Sequence, residues 1–147
     1  MWGIVLFLHV LGATIWAGGH LVLAVTILPR VLRERSPARL LEFESSYERI
    51  GIPALVVQVV TGLWLAYRKV PDVGRWFTFG DPVASLVGIK LLLLAATIGF
   101  ALDARLRILP NLSEQNLKAL AWHIVPVTAI SVLFVLVGVS FRTGWFY

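Results

Sequence analysis

The sequence has no cysteine and few charged residues, and each deficit excludes a class of protein. Without cysteine the chain has no disulfide, no thiolate metal site and no thiol catalysis. Charged residues make up 14% of the chain and hydrophobic residues 59%, whereas about a quarter of the residues of a soluble domain are charged. The mean hydropathy of +0.85 and the long apolar runs therefore indicate an integral membrane protein.

The net charge of +5 comes from basic residues that lie between the apolar runs. Arginine and lysine in such connecting segments set the orientation of membrane helices. We therefore expect a lipid bilayer around the chain and no nucleic-acid partner. No basic segment precedes the first apolar run, so we expect no cleaved signal peptide.

Four apolar segments predict a single transmembrane domain, residues 1–147, with four helices. The segments cover about 2–28, 52–67, 82–102 and 120–141. A membrane helix needs roughly 20 residues, and the second segment is shorter. Ser36 as an N-cap followed by Pro37 predicts that the second helix begins near residue 37. The fold class is therefore all-α, a four-helix antiparallel bundle embedded in a membrane.

The basic residues are distributed unequally between the two ends of this bundle. The N-terminal side carries four of them, Arg68, Lys69, Arg75 and Arg142. The opposite side carries eight, Arg30, Arg33, Arg35, Arg39, Arg49, Arg105, Arg107 and Lys118. Because the more basic side faces the cytoplasm, we expect both termini on the non-cytoplasmic side of a multi-pass protein in the cytoplasmic (inner) membrane of a bacterium. We call the more basic end the inner end and the other the outer end.

Polar side chains within the spans fall into two layers. His9 and His20 are 11 positions apart, so they share a helix face but are separated by about 16.5 Å along the axis. In an antiparallel bundle, His20 is expected at the depth of His123, with Gln58 nearby, and we call this the inner layer. His9 is expected at the depth of Lys90, and we call this the outer layer.

The inner layer is predicted to bind a cofactor. Imidazoles from facing helices commonly hold a metal or a haem inside a bundle. Gly18 and Gly19 leave room for a flat ring beside His20, and Trp16 is expected to line the same pocket. Haem b fits this set best, with His20 and His123 as axial ligands.

Copper is the alternative cofactor. Copper(I) prefers thiolate and thioether ligands, but the only methionine is Met1, so copper would have to pass along histidines. His9, with or without Lys90, could serve a second haem or a quinone, although Lys90 could also extend its ammonium to the outer interface. A second alternative is that these polar groups only hold helices together, without a cofactor. Asp103, next to two arginines at the end of the third span, is expected to form an ion pair.

Three stretches of the sequence resemble the CopD family of membrane proteins. They are LHVLGATIWAGGHL, ERIGIPALVVQVVTGLWLAY and DPVASLVGIKLLLLAATIGFALDARLRILP, and together they span about residues 8–110. The resemblance implies a role in copper uptake or resistance. The chain departs from it at Asp103-Ala104, where CopD-type proteins tend to have Asn-Arg.

A weaker resemblance links the chain to the HemJ-type protoporphyrinogen oxidases. It implies haem b and gives His9 and Lys90 the positions of that family's early histidine and third-helix lysine. His20 and His123 belong to neither pattern.

The main hypothesis is therefore a redox-active haem b protein that transfers electrons across the membrane, with a quinone or another redox protein as partner. Its enzymatic form would be a quinone-linked oxidoreductase. The alternatives are a CopD-like copper transport or resistance protein with a histidine relay, and a structural or assembly protein. Glycine-rich helix faces would permit a homodimer.

Overall fold

The computed structural model describes residues 1–78 and 80–146, and four long helices account for most of them. They are α1, Trp2–Glu34, α2, Pro37–Lys69, α3, Pro82–Asn111, and α4, Leu117–Thr143. Each is long and apolar enough to cross a membrane. No strand occurs in the described residues. The predicted all-α membrane fold with four spans is confirmed, and the orientation of the termini stays a prediction.

The connection between α1 and α2 follows from two residues. Arg35 adopts the left-handed conformation, with φ of 49°, and this ends α1. Ser36 then caps α2, because its hydroxyl oxygen accepts a hydrogen bond from the Arg39 N–H at 3.4 Å. Pro37 is the first helical residue, where a missing N–H has no cost. The predicted early start of α2 is confirmed.

Two helices depart from regular α geometry near the inner end. A π-helical segment covers Leu23–Ile27 in α1, and a second covers Ala104–Ile108 in α3. Pro29 follows the first and Pro110 the second, and a proline has no N–H with which to continue the hydrogen-bond ladder. Both helices also run past the ends of their apolar segments, so the bundle extends beyond the membrane interior at this end.

The outer end of the bundle is closed by the connection between α2 and α3. A short 3-10 helix, Val73–Phe77, folds back there and buries Trp76. The indole N–H of Trp76 donates to the Val70 carbonyl at 2.8 Å. Asp81 begins α3 by accepting hydrogen bonds from the N–H groups of Val83 and Ala84 at 2.9 and 3.2 Å.

Buried apolar side chains form one cluster at each end of the bundle. The outer cluster is small and contains Val70, Trp76, Ala84 and Val87. The inner cluster contains Leu23, Leu28, Val31, Leu40, Leu117, Leu120 and Ile124. Many large apolar side chains along the helices stay exposed in the isolated chain, which is the surface that contact with lipid requires.

Candidate functional site

His9 is held at the contact between α1 and α2 by hydrogen bonds at one ring nitrogen. Its Nδ1 lies 3.0 Å from the Gln58 carbonyl oxygen and 3.1 Å from Thr61 Oγ1. The Thr61 hydroxyl donates to the Val57 carbonyl at 2.6 Å, so its oxygen is an acceptor for the histidine. Nδ1 must therefore carry the proton, and Nε2 of the neutral ring keeps its lone pair.

His20 shows the same arrangement about three turns further along α1. Its Nδ1 lies 2.9 Å from the Trp16 carbonyl oxygen, and a carbonyl can only accept. Nε2 of the neutral ring again keeps a lone pair. The Trp16 ring lies beside the imidazole, with 4.4 Å between the ring centroids, and the Tyr47 ring meets it edge-on at 6.1 Å.

The space next to Gly19 is filled by a side chain of α2. A Cβ atom at Gly19 would overlap the Tyr47 ring, whereas one at Gly18 would meet nothing within 4 Å. The Tyr47 hydroxyl lies 3.1 Å from the Ile15 carbonyl and 3.2 Å from that of Trp16, where it can donate. The expectation that both glycines leave room for a haem is therefore corrected at Gly19, which accommodates Tyr47, whereas the space at Gly18 is open.

His123 has partners at both ring nitrogens. Its Nε2 lies 2.8 Å from Asp103 Oδ2 on α3, and its Nδ1 lies 2.9 Å from the Ala119 carbonyl on its own helix. Both partners are acceptors, so only the protonated ring satisfies both contacts. Unlike the two histidines of α1, His123 has no lone pair to offer a metal in this arrangement.

The structure does not pair His20 with His123. The His20 ring faces Tyr47 of α2, and the His123 ring faces α3. On α4, Thr128 reaches His20: its hydroxyl lies 3.2 Å from the His20 backbone carbonyl and 2.8 Å from that of Ile124, and it can donate to either. Thr128 lies five positions from His123, or about 7.5 Å along the helix. The predicted axial pair for haem is corrected for this reason.

Gln58 also lies elsewhere than predicted. It packs against Gly12, and its carbonyl oxygen bonds to His9, so it belongs to the outer half of the bundle and is not beside His20. The reason is that α2 packs on α1 with Tyr47 beside Gly19, so Gln58, eleven positions or about 16.5 Å further along α2, lies beside Gly12 and His9. Gln58 is 9% exposed, and its Oε1 has no hydrogen-bond partner within the described part of the chain.

Lys90 lies beside the outer part of α4. Its Nζ is 5.7 Å from the centre of the Phe141 ring and would be 3.3 Å from a Cβ at Gly138. Both neighbours lie close to the outer end of α4, so the side chain extends outward from its backbone, as a snorkelling lysine does.

The charged residues at the inner end form ion pairs. Arg107 contacts Asp103 at 3.1 Å, as expected from the sequence, and Arg105 contacts Glu48 of α2. Within residues 1–78 and 80–146 there is no group of three or more histidine or carboxylate side chains that could hold a metal. The bundle therefore offers a metal two separate imidazole lone pairs, at His9 and at His20.

Sequence reasoning overlooked Tyr47 and Thr61. Both fix a histidine or its surroundings, Tyr47 by filling the space over Gly19 and Thr61 by accepting from His9. Thr61 could have been found from the sequence, because Thr61-Gly62 lies within one of the stretches that carry the family resemblance. In the structure, Gly62 lies directly opposite His9. Tyr47 stands in a polar stretch next to charged residues, where nothing distinguishes it from a surface residue.

One comparison with known proteins gives a match. The model of the CopD family, described as copper resistance protein D, matches residues 41–141, which is more than half of the chain. The match includes α3 and most of α2 and α4, whereas α1, with His9 and His20, lies before it. Searches of the curated proteins and of the solved structures give no match. The weaker resemblance to HemJ-type oxidases has no support from these comparisons.

Proposed function

Because the chain belongs to the CopD family, we propose that it is a copper-handling membrane protein in which His9 and His20 bind the passing ion. The observation that supports these two residues is the hydrogen bonding of their rings. In both, Nδ1 donates to a backbone carbonyl and Nε2 keeps its lone pair. In metal-binding histidines, a hydrogen bond from the ring nitrogen that does not bind the metal fixes the tautomer and the ring orientation.

The chemistry of the two positions suits an ion that passes through. Copper accepts imidazole ligands, and the sequence provides no cysteine and no methionine other than Met1. A single imidazole binds more weakly than a complete ligand set, and transport needs binding that is weak enough to be reversed at each site. The two rings share one face of α1 and are separated by about 16.5 Å, so they would bind copper in succession.

His123 has a different role in this proposal. Its Nε2 is occupied by Asp103, so we expect it to connect α3 with α4 and not to bind copper. It is therefore the natural control for a test of the two histidines of α1.

The test is copper uptake into liposomes that contain the purified protein, under reducing conditions. We expect His9→Ala and His20→Ala each to lower the initial rate about tenfold or more, since losing even a supporting residue of a metal ligand costs that much. His123→Ala should retain most of the rate. Uptake that is absent, or equal in all three variants, would refute the proposal. A haem absorption band that is lost in His20→Ala would also refute it and favour the haem hypothesis.

We also propose that both termini lie outside the cytoplasm, which places His9 near the outer face and His20 nearer the cytoplasm. The excess of arginine and lysine at the inner end supports this orientation. The absence of cysteine makes the test simple, because an introduced cysteine is the only thiol. In intact bacterial cells, a membrane-impermeant thiol reagent should label Gly3→Cys, and it should label Glu114→Cys only after permeabilisation. The reverse pattern would invert the order of the two histidines.

A further inference from the structure

The Tyr47 ring is held on three sides next to His20. It fills the gaps left by Gly19 of α1 and by Gly51 of its own helix, because a Cβ atom at either glycine would overlap the ring. Phe43, one turn earlier in α2, lies nearly parallel to it, with an interplanar angle of 12° and ring centroids 5.8 Å apart. The packing therefore fixes the position of the Tyr47 ring, and the His20 imidazole meets its edge at a centroid distance of 6.1 Å.

The Tyr47 hydroxyl and the His20 imidazole share one backbone acceptor. The Trp16 carbonyl oxygen lies 2.9 Å from His20 Nδ1 and 3.2 Å from the Tyr47 hydroxyl oxygen. A carbonyl oxygen has two lone pairs. In the regular helix Trp2–Val22, one of them accepts the backbone N–H of His20, four positions further on. A single lone pair of the Trp16 carbonyl therefore remains for two side-chain donors.

Tyr47 has a second acceptor, whereas His20 Nδ1 bonds only to Trp16 among the described residues. The Ile15 carbonyl oxygen lies 3.1 Å from the Tyr47 hydroxyl, so the hydroxyl can donate to either carbonyl. When it donates to Trp16, the hydrogen bond from His20 Nδ1 to the same oxygen is weakened. Because a hydrogen bond from one ring nitrogen raises the basicity of the other as a metal ligand, the Tyr47 hydroxyl lowers the basicity of His20 Nε2.

We propose that Tyr47 is a positioning residue that adjusts how strongly His20 binds copper. Its ring limits the orientations of the imidazole and so strengthens binding, whereas its hydroxyl takes part of the Trp16 carbonyl from Nδ1 and so weakens binding. The two effects have opposite signs, and a ligand weakened in this way suits an ion that has to be released again. The effect on copper rests on the proposed function, whereas the sharing of the Trp16 carbonyl does not.

The sharing of the carbonyl is tested without copper. Purified protein labelled with 15N at its three histidines is studied by NMR in detergent at about pH 8, where an ordinary imidazole is neutral, and His20→Ala assigns the His20 signals. We expect His20 to carry its proton on Nδ1. In Tyr47→Phe this proton should move downfield, because the hydrogen bond to Trp16 is no longer shared. Tyr67→Phe, which removes an exposed hydroxyl from the outer part of α2, is the matched control and should leave it unchanged.

The effect on copper is measured by titrating the same samples with copper(I) under anaerobic reducing conditions. Copper(I) is diamagnetic, so the Nε2 signals report the Kd of His9 and of His20 separately. We expect Tyr47→Phe to bind copper at His20 about threefold more tightly, a fraction of the worth of one hydrogen bond. Tyr47→Leu, which also removes the ring, should bind about tenfold more weakly. His9 is the internal control and should keep its Kd in both variants.

Opposite changes in the two variants distinguish positioning from a purely structural role, since a side chain that only fills space would shift both in one direction. A His20 signal and a Kd that are the same in Tyr47→Phe as in the native protein, or equal weakening in both variants, would overturn the proposal. Tyr47→Phe keeps the ring and should retain the native helix content by circular dichroism. Copper(I) that perturbs neither histidine of the native protein would refute the proposed function, and the copper-free spectra separate that outcome from a failure of the contact between Tyr47 and His20.

Discussion

The α1–α2 hairpin and the α3–α4 hairpin each hold a histidine toward the inner end, but with contacts of different chemistry. Helices α1 and α2 pack most extensively, and they approach closely where Gly19 meets the Tyr47 ring and where Gly12 meets Gln58. The hydrogen bonds across this contact join neutral groups. Helices α3 and α4 are joined instead by the ion pair of Asp103 with His123.

This difference decides which histidines are available to a ligand. A backbone carbonyl occupies only one nitrogen of His20 and leaves the other with a lone pair. A carboxylate together with a carbonyl occupies both nitrogens of His123. Depth in the membrane is therefore less informative about a histidine than the partners of its ring.

The largest effect that we expect on stability is at the glycine of the first hairpin. Gly19→Ala places a methyl group where the Tyr47 ring lies and breaks the contact of its hydroxyl with Ile15 and Trp16. We predict a loss of about 2–3 kcal/mol in the free energy of unfolding, as for overpacked cores. Unfolding in detergent micelles by increasing amounts of SDS measures it.

The adjacent glycine provides the control for this prediction. A Cβ at Gly18 meets nothing within 4 Å, so Gly18→Ala should be within about 0.5 kcal/mol of the native protein, like other surface changes. Equal losses at the two positions would mean that Tyr47 does not pack on Gly19, and the comparison between the hairpins would fail.

Much of the fold could be predicted because the signals are local. The length of each apolar run predicts a span. Ser36-Pro37 predicts the start of α2, because the first N–H groups of any helix have no partner within the helix and a serine at the N-cap can accept a hydrogen bond from one of them. The outer layer of His9 and Lys90 follows from counting turns from the outer end, where the helices begin close to the ends of their apolar runs, and it stays a prediction.

The inner layer could not be predicted in the same way. Counting from the inner end is affected by the extension of α1 to Glu34 and by the π-helical segment at Leu23–Ile27, which changes the rotation of the residues around the helix axis. The contact of His20 with Thr128, and not with His123, is the result. Which helix a ring faces depends on packing between helices, and the pattern of a single helix does not contain that information.

The ion pair of the second hairpin gives a smaller effect. Asp103→Asn removes the charge that pairs with His123 at 2.8 Å and with Arg107 at 3.1 Å. Because the Asp103 side chain is 38% exposed, solvent screens the pair, and we predict a loss of about 1 kcal/mol. SDS unfolding measures it, and copper uptake should stay unchanged. A loss of uptake as large as in His20→Ala would show that the second hairpin takes part in the copper path.

The smallest effects concern the caps that start one helix in each hairpin. Ser36 accepts one long hydrogen bond, 3.4 Å from the Arg39 N–H, so Ser36→Ala should cost about 0.5 kcal/mol, the low end for an N-cap. Asp81 accepts from two N–H groups and pairs with Arg75, so Asp81→Ala should cost about twice as much, or about 1 kcal/mol. The same SDS titrations distinguish the two. Equal losses in the free energy of unfolding for the two variants would mean that the carboxylate of Asp81 stabilises the helix no more than the hydroxyl of Ser36 does. Asp81 lies at the outer end of the bundle. The reliance of the second hairpin on charge would then be confined to its inner end.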